Sequence, residues 1–383
     1  MNKNYIPYST QYINQSDIRN VNKVLKSKLL TKGKVTLEFE NKIKKFCKSK
    51  YVVSTINAST ALLTACGALG LKKNDIVWTT NVTYIASINC ALHYGAKIEL
   101  CEIDSNSYNI SVELLKSQLE TAKRKNKLPK IVVIVHLSGN PADLEKINIL
   151  SKKYKFKIIE DASHAFGSIY NRDPIGKCKF SDMTVFSFHP VKVVTSGEGG
   201  AITTNNKKLY EKILMIRENG IRKIKNKIDP NYYDVNELGF NFRINELNAS
   251  LGISQIKKTK KFIKLKKKLV KRYYQKLNDE RIILPKLSKK VLSSWHLFII
   301  RFNRKLIKKK KYDIVKYLHK KGIMVNTHYI PLHKFSFIKK NIKKKSFKIS
   351  DEYYDSSISI PLFPHMTKSQ QDYVIKNIYS SIK

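Results

Sequence analysis

The first two thirds of the chain alternate short β-branched runs with amphipathic segments, and this alternation constrains the fold more than any other feature. Runs at 51–55, 76–80, 97–103, 131–136, 157–160 and 183–187 read as strands, and the segments 60–69, 84–94, 112–121 and 143–154 read as helices. Strand and helix repeating in this way build a mostly parallel sheet with helices over its faces, an α/β architecture. Near Asn245 the pattern changes to a long lysine-rich helix in which Ile256, Ile263, Val270 and Leu277 recur every seven residues. A smaller unit begins there, with strands expected at 295–302 and 324–328 and a helix at 312–320. The expected division is a large α/β domain over residues 1–250 and a small C-terminal domain over 251–383.

Among the 383 residues, 74 Lys and Arg against 29 Asp and Glu leave a net charge of +45, a balance that raises nucleic acid or an anionic membrane as partner. The excess is mostly Lys rather than Arg, whose planar fork suits phosphates and bases, and it is spread along the chain. These lysines read as solvated faces, so neither nucleic acid nor membrane is an expected partner. No run approaches the roughly 18 apolar residues of a membrane helix. Residues 1–5 carry no apolar signal core, and a cytoplasmic protein is expected. Cys47, Cys66, Cys90, Cys101 and Cys178 are odd in number, widely spaced and without a CxxC pair, so they read as reduced packing residues and no metal site is expected.

One lysine stands apart from this background. Lys192 closes the run Ser187-Phe188-His189-Pro190-Val191-Lys192 and precedes Val193, Val194 and the turn Gly197-Glu198-Gly199-Gly200. Apolar and glycine neighbours hydrate an ammonium poorly, which favours the neutral, nucleophilic amine. Asp161 ends an apolar strand, where ligands of open α/β sheets bind. A carboxylate there can hold a protonated ring nitrogen or cap a helix, with His164 supporting it or packing. Asn57-Ala58-Ser59-Thr60 follows a strand and opens a helix, as a phosphate cradle or as an ordinary cap. Tyr84 offers a flat face for an aromatic cofactor or for the core, and the Ser187 hydroxyl stands five residues before Lys192, within reach of a phosphate. The glycine turn permits close backbone approach or is a plain hairpin connection.

Taken together, Glu160-Asp161-Ala162-Ser163-His164-Ala165, the run ending in Lys192, the glycine turn and Asn241-Phe242-Arg243-Ile244-Asn245-Glu246 resemble the DegT-type nucleotide-sugar aminotransferases, in that family's order and over nearly the whole chain. The resemblance implies a fold-type I transferase dependent on pyridoxal 5'-phosphate, its large domain a mostly parallel seven-stranded sheet between helices, its smaller C-terminal domain α+β. Lys192 would hold the cofactor as a Schiff base and move the proton, the cofactor passing through its pyridoxamine form. Asp161 would pair with the pyridine nitrogen beside His164, Tyr84 would stack on the ring, and Ser59, Thr60 and Ser187 would hold the phosphate. Asn241 matches the family asparagine that reaches the neighbouring subunit's phosphate, so a homodimer with composite sites is implied. Sugar-nucleotide contacts are implied for Tyr8, Lys28, Leu29, Leu30, Thr31, Ala58, Asn326, Thr327, His328 and Tyr329. Ala58 stands where glycine is common in the family, and Lys34 where proline is.

The segment Ser27-Lys28-Leu29-Leu30-Thr31-Lys32-Gly33 is most similar to the branch of the family that serves pseudaminic acid biosynthesis. That implies a UDP-linked 4-keto-6-deoxy-N-acetylhexosamine as acceptor and L-glutamate as donor. A related dehydratase on the same scaffold has histidine at the position of Lys192, and the lysine argues against it. The other readings are transfer to a different UDP- or dTDP-keto sugar, and a non-catalytic cofactor-binding regulator or basic nucleic-acid-binding protein.

Overall fold

The computed structural model describes residues 5–223, 229, 231–342 and 345–383; residues 1–4, part of the segment read above for a signal core, lie outside them. Seven strands form one sheet in the order Tyr51–Thr55, Gly200–Thr204, Met183–Ser187, Lys157–Asp161, Ile131–Val135, Ile76–Thr80, Lys97–Cys101. Gly200–Thr204 runs antiparallel to both of its neighbours, and the remaining pairs are parallel. This is the mostly parallel sheet that the alternation and the resemblance led us to expect.

Side chains of a strand point alternately to its two faces, and both faces here are covered. Val132, Ile134 and Ile158 meet Phe39 and Ile43 of the helix Lys34–Cys47 and Ile147 of Leu144–Tyr154 on one side. Ile131, Val133 and Ile159 meet Leu62 and Ala65 of Ala58–Ala68, Ile88 of Ala86–Leu92 and Ile213 of Lys207–Arg217 on the other. A third core belongs to the C-terminal part, where Phe298, Ile314, Ile358 and Ile378 pack with Ile6. Ile6 also bridges to Ile323, so the N-terminal segment crosses to that part.

Glu246–Lys276 is one continuous helix, started by Asn245, whose side chain accepts the Asn248 N–H. It runs through residue 250 and joins two cores, with Ala249 and Ile253 in the first and Val270 and Tyr273 in the third. Of its seven-residue repeat, Ile256, Val270 and Leu277 are buried. The expected strand at 295–302 starts only at Phe298, because Trp295 takes a left-handed φ of 52° that interrupts extended backbone. Residues 324–328 form no strand: the Asn326 side chain accepts the Thr327 N–H at 2.7 Å and turns the chain, leaving a single bridge from Asn326 to Ser359. Among the described residues no helix is long and apolar enough to cross a membrane.

Candidate active site

The parallel strands bring Asp161 and Ser187, their last residues, to one edge of the sheet, joined there by Asn57 and Thr83 from the turns that follow two other strands. A cavity of about 400 Å³ opens along this edge. Its wall brings together Tyr8, Ala58, Ser59, Tyr84, Asp161, His164, Ser187, Lys192, Asn326, His328 and Tyr329 from the residues singled out in the sequence.

Asp161 is buried and triply held. Ser87 donates its hydroxyl to Oδ2 at 2.7 Å, while the Ser163 hydroxyl and N–H reach Oδ1 at 2.6 and 3.1 Å. Because the Ser87 proton goes to Asp161, Thr83 supplies the proton in the 2.8 Å bond between the two hydroxyls. These bonds fix the orientation of the carboxylate.

Lys192 lies in the connection between Met183–Ser187 and Gly200–Thr204, whose first rung pairs Ser187 with Gly200. Buried Phe188, Val193 and Val194 pin that connection, the Lys192 N–H donates to His189 O at 2.9 Å, and Ser9 from the N-terminal segment donates to Val191 O at 3.0 Å. Burial brings the Lys192 ammonium down to about 8, against the opposing pull of Asp161. A measurable fraction of neutral amine is therefore present near neutral pH.

Four histidines line the wall: His164, His189, His296 and His328. The Ser138 N–H donates to His164 Nδ1 at 3.2 Å, which fixes the proton on Nε2, and Nε2 is 2.9 Å from the Tyr329 hydroxyl. His164 is held well below its ordinary range by burial and by the nearby Lys192, and His328 is lowered to about 3 by the same two causes. His328 Nδ1 bonds the Ser359 hydroxyl at 2.8 Å, while its carbonyl accepts from Tyr353 at 2.6 Å.

At the opposite end, the Asn57 side chain accepts the Thr60 N–H at 2.9 Å and starts the helix Ala58–Ala68. The Thr60 hydroxyl is donated to Asn57 O at 2.9 Å, and Thr60 is not on the cavity wall; Ser59 and Ser187 are. Gly200 is needed here, since a Cβ would lie 2.3 Å from Asn57 O. The donor set is thus a helix N-terminus with two hydroxyls for a phosphate, an oriented carboxylate for a cationic ring nitrogen, the exposed ring of Tyr84, and a softened amine. Those groups suit a phosphorylated pyridine aldehyde.

Lys28, Leu29, Leu30, Thr31 and Asn241 are exposed and stand off this wall, and half-buried Thr327 is not part of it either. Their backbone is nonetheless fixed. Glu246, 1% exposed, accepts the N–H groups of Gly33 and Val35 at 3.1 and 2.8 Å and donates its own N–H to Leu30 O, while Asn241 bridges to Glu218. The sequence reading missed Ser87, Ser163 and His296. Ser163 had a local signal, an Asp-x-Ser turn at a strand end, and Ser87 follows Tyr84 by one helical turn; His296 shows only as a polar residue inside an apolar run.

A family model described as the DegT/DnrJ/EryC1/StrS aminotransferase family matches residues 11–379. The chain is 35% identical over 379 residues to the UDP-4-amino-4,6-dideoxy-N-acetyl-beta-L-altrosamine transaminase of Campylobacter jejuni, covering 99% of this chain and 98% of that one. Among solved structures, Helicobacter pylori PseC, an aminotransferase involved in the biosynthesis of pseudoaminic acid, superposes with a TM-score of 0.90 at 28% identity, covering 99% of each chain. A sugar aminotransferase of Streptococcus pneumoniae in its PMP form gives a TM-score of 0.90 at 25% identity, covering 98% of each.

Proposed function

This chain belongs to the DegT/DnrJ/EryC1/StrS aminotransferase family and is a pyridoxal-phosphate-dependent sugar aminotransferase, and from that premise we propose that it aminates C4 of a UDP-linked 4-keto-6-deoxy-N-acetylhexosamine in pseudaminic acid biosynthesis, with L-glutamate as donor. The names carried by the Campylobacter and Helicobacter proteins support that acceptor. The observation that carries the chemistry is the placement of Lys192 and the hydroxyl-braced Asp161 on one cavity wall.

Bound pyridoxal phosphate supplies an electron sink for the charge left on the donor carbon when its proton departs. Asp161 would pair with the cofactor's ring nitrogen, and the hydroxyls of Ser87 and Ser163 hold its carboxylate in place. Ser59, Ser187 and the start of the helix Ala58–Ala68 hold the phosphate, with Thr60 bracing that start through Asn57. Tyr84 presents its ring face to the cofactor, and His164, fixed by Ser138 and Tyr329, keeps a defined tautomer beside it. Lys192, softened by burial, would hold the cofactor and, once released from it, its amine would serve as the base and acid that moves the proton.

The reading includes a cytoplasmic homodimer. Lys28–Thr31 and Asn241, exposed yet firmly anchored, reach the partner's cavity, while Tyr8, Ala58, Asn326, His328 and Tyr329 meet the sugar nucleotide from their own. Thr327 supports its neighbours. Residues 1–250 and 251–383 act as the large and small domains, with the long helix Glu246–Lys276 passing between them.

The test is a panel of UDP- and dTDP-linked 3-keto and 4-keto sugars offered to the enzyme in its aminated form, with products identified by NMR. Amination at C4 of the UDP-linked 4-keto-6-deoxy-N-acetylhexosamine is expected. Preference for a dTDP sugar, or amination at C3, would overturn the substrate.

A further inference from the structure

Residues 25–32 are exposed without a break and, past Leu25, form no helix or strand, so no core of their own gives this loop a shape. Among the described residues, the hydrogen bonds that tie 26–33 to a distant part of the chain all go to Glu246. The Glu246 N–H donates to Leu30 O at 2.9 Å. Its carboxylate accepts the N–H groups of Gly33, Val35 and Thr36 at 3.1, 2.8 and 3.3 Å, and the Thr36 hydroxyl besides. Gly33 is the N-cap of the helix Lys34–Cys47 and has no side chain to offer, so Glu246 satisfies the free N–H groups of that first turn from across the fold. A Cβ on Gly33 would lie 2.6 Å from Glu246 Oε2, and the glycine makes room for the carboxylate.

Glu246 is also the first residue of Glu246–Lys276 and follows directly on the segment 241–245. That segment is held independently: Asn241 bridges to Glu218, whose carboxylate accepts from Arg243 at 2.8 Å and lies 3.9 Å from the Lys32 ammonium. One buried residue therefore joins the two stretches, 28–31 and 241, that stand off their own cavity, and Glu246 itself does not line that cavity. Leu29, Leu30 and Leu37, in and after the loop, are exposed apolar side chains that a second copy of the chain would cover.

We propose that Glu246 is a positioning residue for the partner's cavity: it locks the loop 28–33 against the segment 241–245, so that the two enter the neighbouring subunit's site as one preset unit. This rests on the reading that each site is shared between two subunits, and it gives Glu246 a role in the site across the dimer and none in its own.

The experiment uses mixed dimers of the cofactor-loaded enzyme. Glu246→Gln keeps the size of the side chain but turns an NH2 toward N–H groups that cannot accept it. In the Glu246→Gln homodimer the keto-sugar KM should rise roughly tenfold to hundredfold, as for buried donors left unpaired, while kcat stays within about threefold. Each Glu246→Gln subunit is then paired with a Lys192→Ala subunit through two different affinity tags. The first keeps an intact Lys192 cavity and the second supplies an intact Glu246 to it, so the keto-sugar KM should return to within about threefold of wild type, with about half the wild-type turnover per dimer. If Glu246→Gln fails to fold, Gly33→Ala carries the same test, since its Cβ presses on the same carboxylate while its φ of −96° suits alanine.

A KM that stays raised in the mixed dimer, or that neither variant raises in the homodimer, would overturn the proposal. Asn241→Ala paired with Lys192→Ala is the control for the shared site. Recovery there without recovery for Glu246→Gln removes Glu246 alone, whereas failure of both removes the shared site and the proposal with it.

Discussion

Lys192 and Lys266 are both desolvated lysines in a chain that leaves most of its lysines in water, and burial lowers both, to about 8 and about 7. Their surroundings differ. Lys192 faces a cavity with Asp161 across from it, on a loop pinned by Phe188, Val193 and Val194. Lys266 is 3% exposed within the helix Glu246–Lys276, one turn before Val270 of the C-terminal core, and burial is its whole cause of lowering. Softened basicity alone therefore does not make a catalyst. The opposed carboxylate and the open volume distinguish the amine that can react from the one that is merely costly.

The largest way to break this comparison is Lys192→Ala, which should lower turnover by roughly 10⁴-fold or more and remove the absorbance of the lysine-bound cofactor. Retention of either in the purified variant would mean that another lysine serves. Next comes Asp161→Asn, which keeps the shape but loses the charge facing the ring nitrogen. Both half-reaction rates should fall by roughly 10²–10³-fold, with the cofactor still covalently held. An unchanged rate would remove Asp161 from the site's electrostatics.

The smallest effect sharpens the other side. Lys266→Met should leave turnover intact and stabilise the cofactor-free protein by about 2 kcal/mol near neutral pH, because a buried charge with no ion-pair partner among the described residues is replaced by a hydrophobe. The sign follows from linkage. With Lys266 at about 7 in the folded chain and roughly 10.4 when unfolded, the unfolded state binds more protons between those values. Wild-type stability then gains a contribution that rises from about pH 7 to about pH 10, and the variant's advantage is greatest below that window and fades across it. Lys192 contributes with the same sign when no cofactor is bound. Melting curves at pH 6.5 and pH 10 check this, and an advantage equal at both would contradict it.

The contrast was legible in the sequence on one side only. Lys192 is flanked by Val191, Val193, Val194 and the glycine turn, so its dryness shows locally. Lys266 sits in a run of lysines whose neighbours at 264, 267 and 268 are exposed, and only the packing of the helix reveals that it points inward. The sheet was readable because its strands are apolar on both faces and separated by helical periodicity, whereas the strand expected at 324–328 failed on a single side-chain turn at Asn326. Asp161 and Ser187 could be placed because strand ends have a position in sequence. Ser87 reaches Asp161 from the helix Ala86–Leu92, and His296 reaches the cavity from the bend before the strand Phe298–Phe302, by topology rather than by a motif around Asp161 or Lys192.

Borohydride trapping tests the central distinction most directly. The cofactor-loaded protein is reduced so that the cofactor becomes fixed to whichever lysine holds it, then digested, and the modified peptide is identified by mass spectrometry. Modification at Lys192, lost when glutamate is added before reduction, is the result expected. Modification at Lys266 or at a surface lysine, or at Lys192 regardless of glutamate, would contradict it.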